Sequence, residues 1–140
     1  MPEKTLLLIK PDGVVRGLTA EILSRVEKIG LKVEAQKKIS VRTEQAADLY
    51  KPHLGKKFYP GLLKFITSGP ILACRVSGEN AIPRLRELMG DTDPLAAAKG
   101  TIRGDLREAD VINEDGIIKN LVHGSDSKEN AKRELKIFFS

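Results

Sequence analysis

A histidine, a glycine, two serines and an aspartate close the run Lys119-Asn120-Leu121-Val122-His123-Gly124-Ser125-Asp126-Ser127. The residues that follow, Lys-Glu-Asn-Ala-Lys-Arg-Glu-Leu, read as a helix. Asp126 is its expected N-cap, with Glu129 three residues on completing a box-like pair. A histidine just ahead of a helix N-terminus meets unpaired backbone N–H groups and the positive end of the helix dipole, the groups that hold a phosphate. Phosphohistidine suits relay chemistry. Its P–N bond is labile, so the phosphoryl group keeps its transfer potential instead of being trapped as a stable ester, and one hard transfer becomes two easier ones. By spacing alone, such a histidine is more often an ordinary turn residue. The rest of the chain has to decide.

Asn120-Leu121-Val122-His123-Gly124-Ser125-Asp126-Ser127 resembles the active-site signature of the nucleoside diphosphate kinases. Three further motifs follow that family's order. Thr5-Leu6-Leu7-Leu8-Ile9-Lys10-Pro11-Asp12-Gly13-Val14 resembles its first strand and lysine, Ser68-Gly69-Pro70-Ile71 the entry to a middle strand, and Gly100-Thr101-Ile102-Arg103-Gly104-Asp105 the arginine-bearing loop. Together they span nearly the whole chain.

The resemblance implies transfer of the γ-phosphate of a nucleoside triphosphate, mainly ATP, to a nucleoside diphosphate by a ping-pong cycle through phospho-His123. Lys10 would contact the ribose hydroxyls and the transferring phosphate. Arg86, Thr92 and Arg103 would bind phosphate, Asn120 would lie near the ribose, and Phe58 would stack on the base. Tyr50, Ser125 and Glu134 would support the histidine. Glu134 lies about two turns into the expected helix, so it reaches Ser125 only if the chain bends back. Mg²⁺ would arrive with the nucleotide, held by phosphate oxygens and water, with no direct protein ligand. A closed homo-oligomer is implied, hexamer favoured and tetramer possible. A nucleic-acid-binding or regulatory domain on the same scaffold is the alternative reading. The intact set of His123, Lys10, Arg86, Arg103 and Asn120 speaks against that as the only role.

Without the family, each of these residues has an ordinary reading. Lys10 and Arg86 are plain surface charges, Thr92-Asp93-Pro94 is a turn, Glu134 is an exposed helix residue, and Phe58 beside Tyr59-Pro60 is core. His53 matches no motif and is read as structural. Two departures from the family stand out. Lys99 precedes Gly100 where a proline is expected. The stretch Leu106 to Lys119 is longer than in relatives, and either Val111 or Ile112 is expected to pack on the base opposite Phe58.

The elements that must position these residues follow from pattern. Thr5 to Ile9 is a buried-type strand ended by the turn chemistry of Pro11-Asp12-Gly13. Leu18 to Ile29 carries Ile22, Val26 and Ile29 at helical spacing, with Gly30 as a fitting stop. Leu31 to Val41 reads as a half-solvated strand, and Thr43 caps a helix through Tyr50. Pro60 to Thr67 is a second apolar helix, Ile71 to Val76 the third strand and Asn80 to Met89 a helix. Ile117 to Val122 is the fourth strand, and Ser127 to Ile137 the last helix. Asp91 to Gly116 shows little periodicity, and a stretch that long in a compact domain is usually functional. Order and spacing predict an α+β, ferredoxin-like (split βαβ) domain with a four-stranded antiparallel sheet and added helices.

The 140 residues suffice for a single domain, residues 1–140. Hydrophobic residues at 41% and charged residues at 31% describe a folded, soluble chain, not a disordered one. The apolar runs are too short to cross a bilayer, and Met1-Pro2-Glu3-Lys4 does not open a signal peptide, so a cytoplasmic protein is expected. Cys74, the single cysteine, suits a reducing compartment and reads as core packing. Basic residues outnumber acidic ones by a net +5, but they come in separated pairs and aromatics are only 4%, which disfavours a nucleic-acid stacking platform. Nucleotide polyphosphates are the expected partners, with no membrane and no nucleic acid as main partner. There is no His/Cys spacing for a metal site.

Overall fold

The computed structural model describes residues 2–139. Strands β1 (Glu3–Ile9), β2 (Lys32–Ile39), β3 (Ile71–Gly78) and β4 (Val122–Gly124) form one sheet in the order β2-β3-β1-β4. Every neighbouring pair is antiparallel. Helices α1 (Pro11–Val15), α2 (Thr19–Lys28), α3 (Thr43–Leu49), α4 (Tyr59–Ile66), α5 (Ala81–Met89), α6 (Ile102–Leu106) and α7 (Lys128–Phe139) pack around it. This is the ferredoxin-like α+β arrangement that the element order predicts.

β1 shows why the sheet is central. Leu6, Leu7, Leu8 and Ile9 are all fully buried, because a strand covered on both faces needs apolar side chains at every position. Strand alternation sends Leu7 and Ile9 into one core with Ile22, Val26, Leu85 and Met89 of α2 and α5. Leu6 and Leu8 enter a second core with Leu49, Ile66 and Phe138 of α3, α4 and α7. Each fully buried Leu or Ile contributes about 1.5–3 kcal/mol relative to exposure. Cys74 of β3 lies in the first core, where burial pushes its thiol up to about 12. It packs and does not react.

Several boundaries differ from the sequence reading, each for a local reason. Ile117 to Val122 is not the fourth strand. Ile118 instead bridges Ile112 in a small hairpin whose turn is held by the Asn113 side chain, which accepts from the N–H groups of Asp115 and Ile117. Leu121 then takes a positive φ of 70°, and the Val122 N–H bonds the Asn120 carbonyl at 2.8 Å. That γ-turn breaks the extended run, and pairing to β1 starts only after it. Pro11-Asp12-Gly13 opens α1 instead of a simple turn, with Pro11 at a position where a missing N–H costs nothing. α6 lies inside the stretch read as aperiodic, capped by Thr101 Oγ1, which accepts from the Gly104 N–H. Ser127, not Asp126, caps α7: its hydroxyl accepts from the Asn130 N–H, while Asp126 takes the Asn130 side chain. Thr43 is the first residue of α3 and Arg42 holds the cap position, its N–H bonded to the Gln45 side chain.

Candidate active site

His123 is the middle residue of β4 and pairs with Leu8. Directly opposed residues in an antiparallel ladder share a face, so His123 stands on the side covered by α3, α4 and α7. The neighbouring Gly124 faces α5, where a Cβ would lie 2.6 Å from the Met89 sulfur. After β4 the chain turns through Ser125 to Ser127, and α7 runs back over the sheet. This return brings Glu134 to the histidine. Glu134 Oε1 lies 2.8 Å from His123 Nε2 and accepts the Ser125 hydroxyl at 2.8 Å. Burial pushes the Glu134 carboxyl up, but the bonds from His123 and Ser125 and the nearby Arg133 outweigh it and hold it below the usual range. An ionised carboxylate only accepts, so Nε2 is the ring nitrogen that carries a proton, and in the neutral imidazole the lone pair lies on Nδ1.

The Asn120–Leu121 turn is held from three directions. The Asp12 carboxylate accepts the Leu121 N–H at 3.0 Å, and the Leu121 carbonyl accepts the Lys10 N–H at 2.8 Å. Arg103, buried on α6, donates Nε to the Asn120 carbonyl, Nη2 to that of Val122 and Nη1 to that of Gly90, at 3.1, 2.8 and 3.0 Å. These bonds sustain a non-glycine residue at positive φ, a conformation that costs about 1–3 kcal/mol. The Asn120 side chain accepts Lys10 Nζ at 2.9 Å and donates to the Thr92 carbonyl at 3.1 Å. Arg86 of α5 donates to the Gly124 carbonyl at 3.1 Å, beside the histidine.

These groups line a cleft of about 560 Å³. Lys10, Tyr50, Phe58, Arg86, Thr92, Arg103, Asn120, His123 and Glu134 all border it, and Ser125 stands behind it on Glu134. Lys10 is lowered to about 8, chiefly by burial, with Asp12 opposing and Arg103 adding to the fall. Burial, then Arg86, brings Arg103 down to about 10, which leaves it fully charged at neutral pH. Burial raises Asp12, and raises Tyr50 far enough, with Glu134 and Asp12 adding, that its hydroxyl stays neutral. Phe58 is 43% exposed at the mouth, its ring 5.4 Å from that of His53.

The segment from Leu106 to Lys119 walls part of the cleft that Phe58 borders, but not through Val111 or Ile112. Val111 is buried, Ile112 is half exposed, and Gly116, Ile117 and Ile118 border the cleft. The wall leans on α4: a Cβ on Gly61 would come within 2.8 Å of Ile117 Cδ1, and Lys64 pairs with Asp115 at 3.1 Å. His53, read as structural, also borders the cleft, between the Tyr50 and Phe58 rings. Asp12 and Arg133 were missed as site residues. Asp12 sits in a motif that reads as turn chemistry, and Arg133 in a helix that reads as solvated. Neither carries a local mark of what it meets in space.

A histidine ring held by a carboxylate, two buried cations and a half-open aromatic mouth make a cleft suited to a polyphosphate carrying an aromatic base. The comparisons with known proteins agree. The nucleoside diphosphate kinase family model matches residues 3–140, and the chain belongs to that family. It is 51% identical over 138 residues to a nucleoside diphosphate kinase of Dehalococcoides mccartyi, covering 99% of this chain and 92% of that protein. It is 44% identical to one from Metallosphaera sedula, covering 99% and 94%. Among solved structures it is similar to a transition-state mimic of the Borrelia burgdorferi nucleoside-diphosphate kinase with bound vanadate and ADP, with a TM-score of 0.91 and 37% identity over 99% of this chain and 88% of that one. The Halobacterium salinarum nucleoside diphosphate kinase in complex with CDP gives 0.89 and 42%, over 100% and 89%.

Proposed function

We propose that this nucleoside diphosphate kinase moves the terminal phosphate of a nucleoside triphosphate, mainly ATP, to a nucleoside diphosphate through His123 Nδ1. The observation that carries this reading is the 2.8 Å contact of Nε2 with Glu134, which leaves Nδ1 as the basic nitrogen in a cleft bordered by Lys10, Arg86 and Arg103. The Nδ1 lone pair attacks the γ-phosphorus while the bond to the bridging oxygen breaks. The nucleoside diphosphate leaves with that electron pair, and a P–N bond remains. A second nucleoside diphosphate attacks the phosphorus in reverse and restores the free ring.

The protein's task is positioning and charge. Lys10, Arg86 and Arg103 balance charge on the phosphates, and the Thr92 hydroxyl binds them. Lys10 and Asn120 meet the ribose, and Phe58 stacks on the base with Ile117 or Ile118 across from it. Glu134 and Ser125 hold the ring, and Tyr50 packs beneath them as a neutral side chain. Among the described residues no group of three or more His, Cys, Asp or Glu side chains forms a metal site. Mg²⁺ belongs to the substrate as the Mg·nucleotide, where it offsets phosphate charge.

Among the described residues no helix is long and apolar enough to cross a membrane. We place the enzyme in the cytoplasm, where its nucleotide substrates are, as a homo-oligomer. The test is transfer of label from γ-labelled ATP with Mg²⁺ to the protein before any acceptor is added. The label should be stable to base, lost in acid, and discharged into triphosphate by added nucleoside diphosphate. His123→Ala should abolish labelling and turnover with the fold intact. Exchange near the wild-type rate in that variant would refute the mechanism.

A further inference from the structure

We infer that Arg133 is a positioning residue for the phosphoryl-transfer histidine, acting through Glu134. This rests on the reading of His123 as nucleophile and adds a residue to it. Both oxygens of the Glu134 carboxylate are engaged. Oε1 accepts His123 and Ser125, and Oε2 lies 3.4 Å from Arg133 Nη2. Arg133 is itself anchored, because Nη1 donates to the Asp48 carbonyl of α3 at 2.5 Å. Its guanidinium therefore ties α3 to α7 and borders the cleft one residue from Glu134.

This arrangement does two things. With Oε2 held by a cation that is fixed at its other end, the carboxylate keeps the rotation that aims Oε1 at Nε2. An unanchored carboxylate could turn away and release the ring to its other tautomer. The cation also withdraws charge from the carboxylate, so the Glu134–His123 pair takes up a proton less readily. A proton taken up on Nδ1 would occupy the lone pair that attacks phosphorus. The other groups facing the pair are Ser125 beyond β4, Tyr50 at the end of α3 and His53 in the turn after it, with Lys10, Arg86 of α5 and Asp126 bordering the same cleft. Among the described residues, Arg133 is the arginine or lysine in contact with the carboxylate itself.

The test compares Arg133→Gln, whose amide can still donate to the Asp48 carbonyl, with Arg133→Lys, which keeps the charge. Arg133→Met, keeping the stem, replaces the Gln variant if that does not fold. Rates of His123 labelling and of steady-state exchange are measured from pH 5 to 9 with saturating Mg·ATP, so that titration of the substrate is common to all variants. Loss of the charge should lower the plateau kcat about tenfold, the scale of a small misplacement of a reacting group. KM for ADP should change less than twofold. The acid limb should move to higher pH by about half a unit, a modest value because Arg133 is partly solvated. Arg133→Lys should restore most of the acid limb.

A lower melting temperature with an unmoved acid limb would make Arg133 only an α3–α7 tie and overturn the inference. So would a raised KM at wild-type kcat, which would make Arg133 a nucleotide ligand. Failure of the wild-type protein to take label would instead sink the nucleophile reading.

Discussion

At the residue scale, each functional side chain is defined by what its partner oxygen or nitrogen leaves free. Glu134 takes one ring nitrogen and so releases the other. The Asn120 side chain takes the Lys10 ammonium, which holds it in the cleft before any substrate arrives. Burial brings Lys10 down to about 8 in the free protein, and a bound phosphate favours the charged form and raises that value again. Nucleotide affinity should therefore be full below pH 8 and fall as pH rises through about 8 towards the higher value of the complex. Calorimetric titration of His123→Ala with Mg·ADP from pH 6.5 to 9.5 checks this, since that variant cannot turn over. A flat affinity profile would mean that Lys10 does not meet phosphate. Arg103 holds three carbonyls around the Leu121 turn and, in the proposed mechanism, also meets the phosphates. Arg103→Ala should slow transfer by roughly 10² to 10³. It should also destabilise the fold by at least about 2 kcal/mol, because buried acceptors lose charged donors. Urea unfolding alongside single-turnover labelling would separate the two losses.

At the scale of elements, the site is where four connections converge on the end of β1. The β1–α1 junction brings Lys10 and Asp12, α6 brings Arg103, the turn before β4 brings Asn120, and the return of α7 brings Glu134. The hairpin between α6 and β4 adds a wall whose placement depends on the missing side chain at Gly61 of α4. Gly61→Val should push Ile117 outward and raise KM for nucleotides about tenfold, the scale of one stacked base. Labelling of His123 at saturating ATP should stay near the wild-type rate. An unchanged KM would show that the hairpin does not close on the base. The same segment shows why pattern misplaced the fourth strand. Ile117-Ile118 and Leu121-Val122 are equally apolar, and periodicity alone does not distinguish an apolar pair packed on a helix from one paired in a sheet. The interruption depends on Asp12 and Arg103, both distant in sequence.

At the scale of the whole molecule, β2 closes one side of the sheet, pairing among the described residues with β3 alone. Such an edge has backbone groups free to meet another chain, and Val15 and Leu95 add exposed apolar surface, at 83% and 61%. With the family's implied assembly, a closed homo-oligomer built from dimers is the expected state, the hexamer favoured over the tetramer. Light scattering across micromolar concentrations should report a mass several times 15.4 kDa. A monomer throughout that range would reject the assembly.

The sequence by itself determined what depends on local order and on runs of residue types. The buried strand Thr5 to Ile9, the amphipathic helices, the α+β class and the histidine motif with its partners in family order are all of that kind. Side-chain period and turn chemistry act between neighbours in the chain, so a linear reading can see them. Tertiary structure alone decided which residue meets which across the fold. Asp12 reaches Leu121 over 109 positions, Lys10 reaches Asn120 over 110 and Arg133 reaches the Asp48 carbonyl over 85. Such contacts leave no local trace, because each partner alone looks like a turn aspartate, a surface lysine or a solvated helix arginine. Packing the two cores brought them together, and only in that packed state do burial and proximity make Lys10 less basic and assign the proton of His123 to Nε2.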